Sequence, residues 1–148
     1  LCVAIAIKTT SAGPVIFKQE RYGRNKKPFI CYKFRSMTVD TPSDVPTRVM
    51  CERSSVMTPI GPVLRKTSID ELPQLINIVR GDMSLIGPRP ERPAFCAEFE
   101  KRIHGWRYRT YVKPGLSGLA QVSGGYDLLP REKVLLDMWQ TARTCPRI

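Results

Sequence analysis

Asp70 and Glu71 stand side by side in the run Thr67-Ser68-Ile69-Asp70-Glu71-Leu72-Pro73-Gln74, and Arg89 follows between two prolines in Gly87-Pro88-Arg89-Pro90. Adjacent carboxylates can supply an anionic nucleophile, a proton acceptor or hard oxygen ligands for a cation. Prolines on both sides of Arg89 restrict its backbone and preorganise its planar fork for a pair of phosphate oxygens. An acidic pair and a rigidly presented arginine, close in sequence, point to an enzyme acting on a phosphate ester. The plainer readings are that Asp70 is a helix cap worth about 1 kcal/mol and that Arg89 points into solvent from a stiff turn.

The element that must position the pair is a helix. Ile69, Leu72, Leu75, Ile76 and Val79 recur at helical period and predict a buried stripe, with Gln74, Asn77 and Arg80 off it and Gly81 as the stop. Two starts fit. A capping box of Ser68 and Glu71 puts Pro73 at the fifth helical position, where its ring strains the turn. Asp70 as the cap puts Pro73 in the first turn, where its missing N–H costs nothing, and is preferred. Asp70 then sits at the positive end of the helix dipole, which favours its ionised form and a nearby phosphate. Consecutive helical residues diverge by about 100°, so Asp70 and Glu71 are expected to have separate jobs rather than to share a proton. Arg65 and Lys66, closing a short helix expected over 62–66, lie just upstream.

The rest of the chain reads as a mixed α/β (α+β) domain in which amphipathic helices pack with a β-hairpin. Its strands are expected over 15–21 and 29–35, joined by a basic loop. In the second strand Lys33 and Arg35 alternate with Tyr32 and Phe34, giving a cationic face and an apolar one. The polar stretch 38–58, with Pro42 and Pro46, reads as a mobile surface loop or a lid over the acidic pair. An extended segment covers 83–86 and a helix 91–104, with Phe95, Phe99 and Ile103 on one face. Trp106, Tyr108 and Tyr111 interleave with Arg107, Arg109 and Lys113. The stretch 114–125 reads as flexible and glycine-bearing, and it matches neither the P-loop nor the dinucleotide-binding spacing. A last helix is expected over 131–142 with Val134, Leu135 and Met138 inward.

Composition sets the bounds. The 148 residues are one domain's worth, and 42% hydrophobic with 25% charged residues is the make-up of a globular protein. Lys plus Arg total 24 against 13 Asp plus Glu, a net charge of +11 that attracts nucleic acid, anionic lipid or nucleotide phosphates. The five cysteines include no Cys-x-x-Cys spacing, so reduced thiols in a cytosolic compartment are the simplest account. The single histidine, His104, excludes a His-cluster metal site. Residues 1–7 are apolar but too few to cross a hydrocarbon core, which needs about 20. They read as a buried strand or as the end of a longer hydrophobic segment.

Several ordered motifs together resemble a known family. Gln19-Glu20-Arg21-Tyr22-Gly23, Tyr32-Lys33-Phe34-Arg35-Ser36-Met37, Ser68 through Gln74, Gly81 through Pro90, and Lys113-Pro114-Gly115-Leu116-Ser117-Gly118-Leu119-Ala120-Gln121-Val122 are similar to the bacterial sugar transferases, the monotopic polyprenyl-phosphate phosphoglycosyl transferases. The resemblance implies transfer of a sugar 1-phosphate from a UDP-sugar to undecaprenyl phosphate with release of UMP, the first membrane step of exopolysaccharide or O-antigen assembly. It also implies Mg²⁺ and a covalent aspartyl intermediate. Carried onto this chain, Asp70 is the nucleophile and Glu71 its metal-supporting or proton-handling partner, both serving Mg²⁺. Arg89, Arg65, Lys66 and Arg35 are then expected at substrate phosphate, and Lys113, Gly115 and Gln121 at nucleotide or sugar. Residues 1–12 become the remnant of an N-terminal membrane-inserted segment and linker, and 13–148 the membrane-associated catalytic domain. That domain is expected on the cytoplasmic face of the bacterial inner membrane, whose anionic surface suits the cationic excess. Relatives often carry Asn-Gly-Arg where this chain has Ser123-Gly124-Gly125, so a cationic contact is missing there.

Two other classes stand beside this one. A basic nucleic-acid-binding module explains the charge, yet the chain carries no helix-turn-helix, zinc or RNA-platform signature and such a module leaves the acidic pair unused, so nucleic acid is not an expected partner. A catalytically inactive membrane-associated scaffold of the same fold is the other.

Overall fold

Two runs of β-branched and aromatic residues on either side of a polar turn do form a hairpin. In the computed structural model, which describes residues 2–41, 56–124 and 128–144, β1 (Ile16–Tyr22) pairs with β2 (Pro28–Phe34). The Gly23 N–H donates to the Lys27 carbonyl at 2.8 Å to close the turn. The chain folds as two compact units, residues 1–18 with 32–73 and residues 19–31 with 74–148. Helices with two small two-stranded sheets make the fold α+β.

The first unit opens with α1 (Cys2–Thr10), a helix, which corrects the strand reading of the apolar start. Its last turn satisfies its own carbonyls through side chains. The hydroxyls of Thr9, Thr10 and Ser11 donate back to Ile5, Ala6 and Ile7 at 3.0, 2.6 and 3.2 Å. Among the described residues no helix is long and apolar enough to cross a membrane. After β2, Met37 bridges Met57 in antiparallel fashion and the Thr38 N–H donates to the Val56 carbonyl at 2.9 Å. Of the loop expected over 38–58, residues 42–55 lie outside the described residues. The short helix forms as α2 (Gly61–Lys66), with Pro62 in its first turn.

The expected long helix over the acidic pair is instead two pieces. A 3-10 turn covers Ile69–Glu71 and α3 runs only over Gln74–Val79. Pro73 explains the break, because it has no N–H to carry the ladder across and its ring crowds the preceding turn. Asp70 is therefore not the cap of α3. The end of α3 is as expected: Gly81 takes φ of 83°, its N–H donates to Ile78 and the Asp82 N–H to Asn77, a left-handed cap that closes the orphan carbonyls.

In the second unit, β3 (Ser84–Ile86) and β4 (Gly115–Ser117) form a parallel pair in the register Ser84 to Gly115 and Ile86 to Ser117. Parallel strands need a long crossover, and here it contains α4 (Pro93–Arg102) and a 3-10 helix over Trp106–Thr110. Then come α5 (Leu119–Gly124) and α6 (Pro130–Thr144). The apolar core gathers Cys96, Trp106 and Val134, with Tyr22, Phe99 and Ile103 packed around them. Residues 115–124 are thus strand and helix, which corrects the reading of a flexible glycine stretch. Gly115 is there for close approach: a Cβ on it would fall inside the backbone of Gly87.

The helical periods located the right faces but assigned them to the wrong side. On α3, Leu75, Ile76 and Val79 are exposed while Gln74 and Asn77 are buried. On α6, Val134 is buried as expected, whereas Leu135 and Met138 are exposed and Asp137 and Gln140 take the interior. On each helix one of these inward polar side chains has a main-chain partner there. Asn77 Nδ2 donates to the Ile30 carbonyl at 2.7 Å, and Gln140 Oε1 accepts the Leu119 N–H at 2.6 Å.

Candidate active site

Asp70 and Glu71 lie in the 3-10 turn of the first unit, at three residues per turn, so their side chains leave the backbone in different directions. Asp70 is buried at 7% exposure. Glu71 meets Lys33 of β2, whose Nζ lies 2.8 Å from Oε1. The turn is fixed from upstream by Ser68, which holds a left-handed backbone at φ 56° and ψ 15°. That conformation is uncommon for a residue with a Cβ and costs about 1–3 kcal/mol, the kind of strain that collects at functional sites. The Ser68 N–H donates to Arg65 and the Ser68 carbonyl accepts from Glu71, both at 3.1 Å. Its hydroxyl caps nothing, so the capping-box pattern of Ser68 and Glu71 is not realised.

The basic residues expected beside the pair have distinct placements. Arg35 is buried, and its guanidinium donates to the Ser11 carbonyl and hydroxyl at 2.9 and 2.7 Å and to the Ala12 carbonyl, clasping the chain as it leaves α1. The two cations of this run thus turn inward, Lys33 of β2 held by Glu71 and Arg35, just past the strand, by Ser11 and Ala12. Arg65 Nε donates to the Ser36 hydroxyl at 3.0 Å, and Lys66 is exposed.

Arg89, Lys113, Gly115 and Gln121 belong to the second unit, where the β3–β4 pairing brings their two motifs side by side. The Gly87 N–H donates to the Ser117 carbonyl and the Gly115 N–H to the Pro88 carbonyl, both at 2.9 Å. The Gly-Pro-Arg-Pro turn therefore lies against the Lys113 to Ser117 segment, with Lys113 exposed. Gln121 donates through Nε2 to the Leu116 carbonyl at 3.3 Å. A cavity of about 20 Å³ is lined by Arg89, Glu91, Trp106 and Arg109 among others; it has room for a water and not for a sugar.

Sequence reading missed the buried ion pair behind this turn. Arg109 Nε lies 2.6 Å from Asp137 Oδ2, with both side chains almost wholly out of water. The Arg109 guanidinium also stacks on Trp106, 4.3 Å from the ring centroid. Burial pushes the Asp137 carboxyl above the ordinary carboxylate range, against the pull of Arg109. Burial likewise lowers Lys133, which Glu91 partly offsets. No local pattern announces a pair 28 positions apart; the only signal was two charged residues on elements with apolar faces. Lys33 was visible as a strand cation, but nothing in the sequence tied it to Glu71.

The order of these motifs has a match. The family model described as bacterial sugar transferase matches residues 1–145. The chain belongs to the bacterial sugar transferase family. It is similar to the UDP-glucose:undecaprenyl-phosphate glucose-1-phosphate transferase of Escherichia coli, 46% identical over 83% of this chain and 26% of that protein. It is 45% identical to the UDP-N-acetylgalactosamine-undecaprenyl-phosphate N-acetylgalactosaminephosphotransferase of Aeromonas hydrophila, over 85% of this chain and 30% of the relative. The undecaprenyl-phosphate galactose phosphotransferase of Salmonella typhimurium is 39% identical over 88% of this chain and 30% of its own length. The chain thus spans between about a quarter and a third of these bacterial sugar transferases.

Mg²⁺ is held through one or two carboxylates together with substrate phosphates, rather than by an all-protein cage. Asp70 and Glu71 offer carboxylate oxygens of the type that donor set uses, with Glu71 Oε1 already 2.8 Å from the Lys33 ammonium. Among the described residues no group of three or more His, Cys, Asp or Glu side chains forms a fuller cluster.

Proposed function

We propose that this protein transfers a sugar 1-phosphate from a UDP-sugar to undecaprenyl phosphate, releasing UMP, with Asp70 as nucleophile. The observation that carries the reading is the pair itself: Asp70 and Glu71 are both largely out of water on one 3-10 turn, and Glu71 is held by the Lys33 ammonium. Two adjacent carboxylates that leave the turn in different directions suit two different roles, and the relatives' names supply the substrate classes.

An Asp70 oxygen attacks the sugar-bearing phosphorus of the diphosphate, and the bond from that phosphorus to the bridging oxygen breaks as UMP leaves with the electron pair. A phosphate oxygen of undecaprenyl phosphate then attacks the same phosphorus, breaks the acyl phosphate and restores the Asp70 carboxylate. Asp70 and Glu71 are the residues that would hold Mg²⁺, which would supply positive charge against the negative diphosphate. Arg89 neutralises phosphate oxygens through its fork, with Arg65 and Lys66 adding positive charge. Glu71, held in place by Lys33, is proposed to support the cation or handle a proton. Lys113, Gly115 and Gln121, on the segment beside the Arg89 turn, are proposed at the nucleotide or sugar.

The working surface is proposed to be the anionic cytoplasmic face of the bacterial inner membrane. Leu75, Ile76 and Val79 on α3 and Leu85 and Ile86 on β3 are exposed, and an outward apolar face on a cationic protein suits an interfacial position. Relatives named for glucose, N-acetylgalactosamine and galactose match at comparable identity, so the test uses a panel of labelled UDP-sugars. The membrane-anchored full-length protein, given Mg²⁺ and undecaprenyl phosphate, is expected to move label into the organic phase with one of them. Label that stays in water throughout the panel contradicts the reading.

A further inference from the structure

Four successive carbonyls at the turn that carries Arg89, Pro88 to Glu91, are held, and two of the four donors are guanidinium groups. Pro88 accepts from the Gly115 N–H at 2.9 Å and Glu91 from the Tyr22 N–H at 3.0 Å. Between them, Arg89 accepts from Arg109 Nη2 at 3.3 Å and Pro90 from Arg21 Nη1 at 2.8 Å. Burial of two cations for the sake of one turn is costly, since each must be paired or neutralised. Arg21 faces Glu91 at 3.6 Å, and Arg109 faces Asp137 at 2.6 Å.

Arg109 uses its fork in two directions. Nε is fixed by Asp137 on α6 while Nη2 reaches the Arg89 carbonyl, and the guanidinium plane rests on Trp106. A lysine offers one charged point and cannot span both partners. A stability role alone is served by any apolar packing at this site. The fork, aimed at the carbonyl of the one arginine flanked by two prolines, specifies the position of that residue.

We propose that Arg109, oriented by Asp137, is a positioning residue that fixes the backbone of Arg89 so that its side chain meets the substrate phosphate in one geometry. This rests on the reading that Arg89 binds phosphate. A displacement of about 1 Å at such a contact can cost about a hundredfold in rate.

The test is a double-mutant cycle in the membrane-anchored full-length protein, read as kcat/KM for the UDP-sugar it uses, with thermal melting as the folding control. Arg89→Ala is expected to lose about a hundredfold. Arg109→Lys is expected to lose about tenfold, and to add less than about twofold on an Arg89→Ala background, because residues acting through one another are not additive. Asp137→Asn, which keeps an acceptor for Arg109, is the second variant should Arg109→Lys not fold; it is expected to show the same non-additivity with a smaller loss. Wild-type rates in Arg89→Ala overturn the phosphate-binding reading and the positioning role with it. A large loss in Arg89→Ala with losses from Arg109→Lys or Asp137→Asn that simply multiply overturns the positioning role alone.

Discussion

Lys33 Nζ lies 2.8 Å from Glu71 Oε1, with the two side chains only 18% and 14% exposed. The contact ties β2 to the 3-10 turn of the acidic pair, 38 positions later. Lys33→Met takes the ammonium away from a largely buried carboxylate, an expected loss of about 1–3 kcal/mol seen as a lower urea midpoint. Because the same contact fixes where the Glu71 carboxylate points, transfer is expected to fall by about 10² as well, and the exchange Lys33→Glu with Glu71→Lys is expected to recover stability without recovering transfer.

The outward face of α3 yields a second expectation. Ile76 and Val79 are 53% and 88% exposed, so Ile76→Glu with Val79→Glu is expected to shift stability by no more than about 0.5 kcal/mol per site. Co-sedimentation of the chain with phosphatidylglycerol vesicles is expected to drop severalfold. Unchanged binding contradicts an interfacial role for this face.

A third concerns thiol chemistry. Cys96 is buried and accepts a hydrogen bond from Trp106 Nε1 at 3.4 Å, and burial pushes its thiol up while that bond pulls it down. A raised thiol pKa means less thiolate at any given pH, so its alkylation profile moves to higher pH. Iodoacetamide at pH 8 is expected to label exposed Cys2 ahead of Cys96, as read by peptide mass spectrometry; equal rates contradict the packing at Trp106.

Local chemistry in the sequence told where elements begin and end. The hairpin, α2, α4, β3 and the Gly81 stop all follow from residue type and spacing. The sequence read alone went astray where a partner far along the chain decides which face is inside. Helical period places Leu75, Ile76 and Val79 on one face, but the Asn77 bond to the Ile30 carbonyl turns the opposite face inward. Likewise the Arg109 to Asp137 pair, and not the apolar stripe, orients α6. Pro73 was legible as a constraint, yet its effect was a break between a 3-10 turn and a helix rather than a helix start. Of the site, the identities of Asp70, Glu71 and Arg89 were legible, while Lys33, Arg109 and Asp137 were not, because their meaning lies in long-range contacts.

The proposed transfer mechanism rests on Asp70 becoming covalently loaded. The most direct measurement incubates the protein with the UDP-sugar panel and Mg²⁺ in the absence of undecaprenyl phosphate, then digests it for peptide mass spectrometry. The expected result is a sugar-phosphate adduct on Asp70, lost on adding undecaprenyl phosphate and absent from Asp70→Asn, which is also inactive. An adduct on another residue, or full transfer by Asp70→Asn, would contradict it.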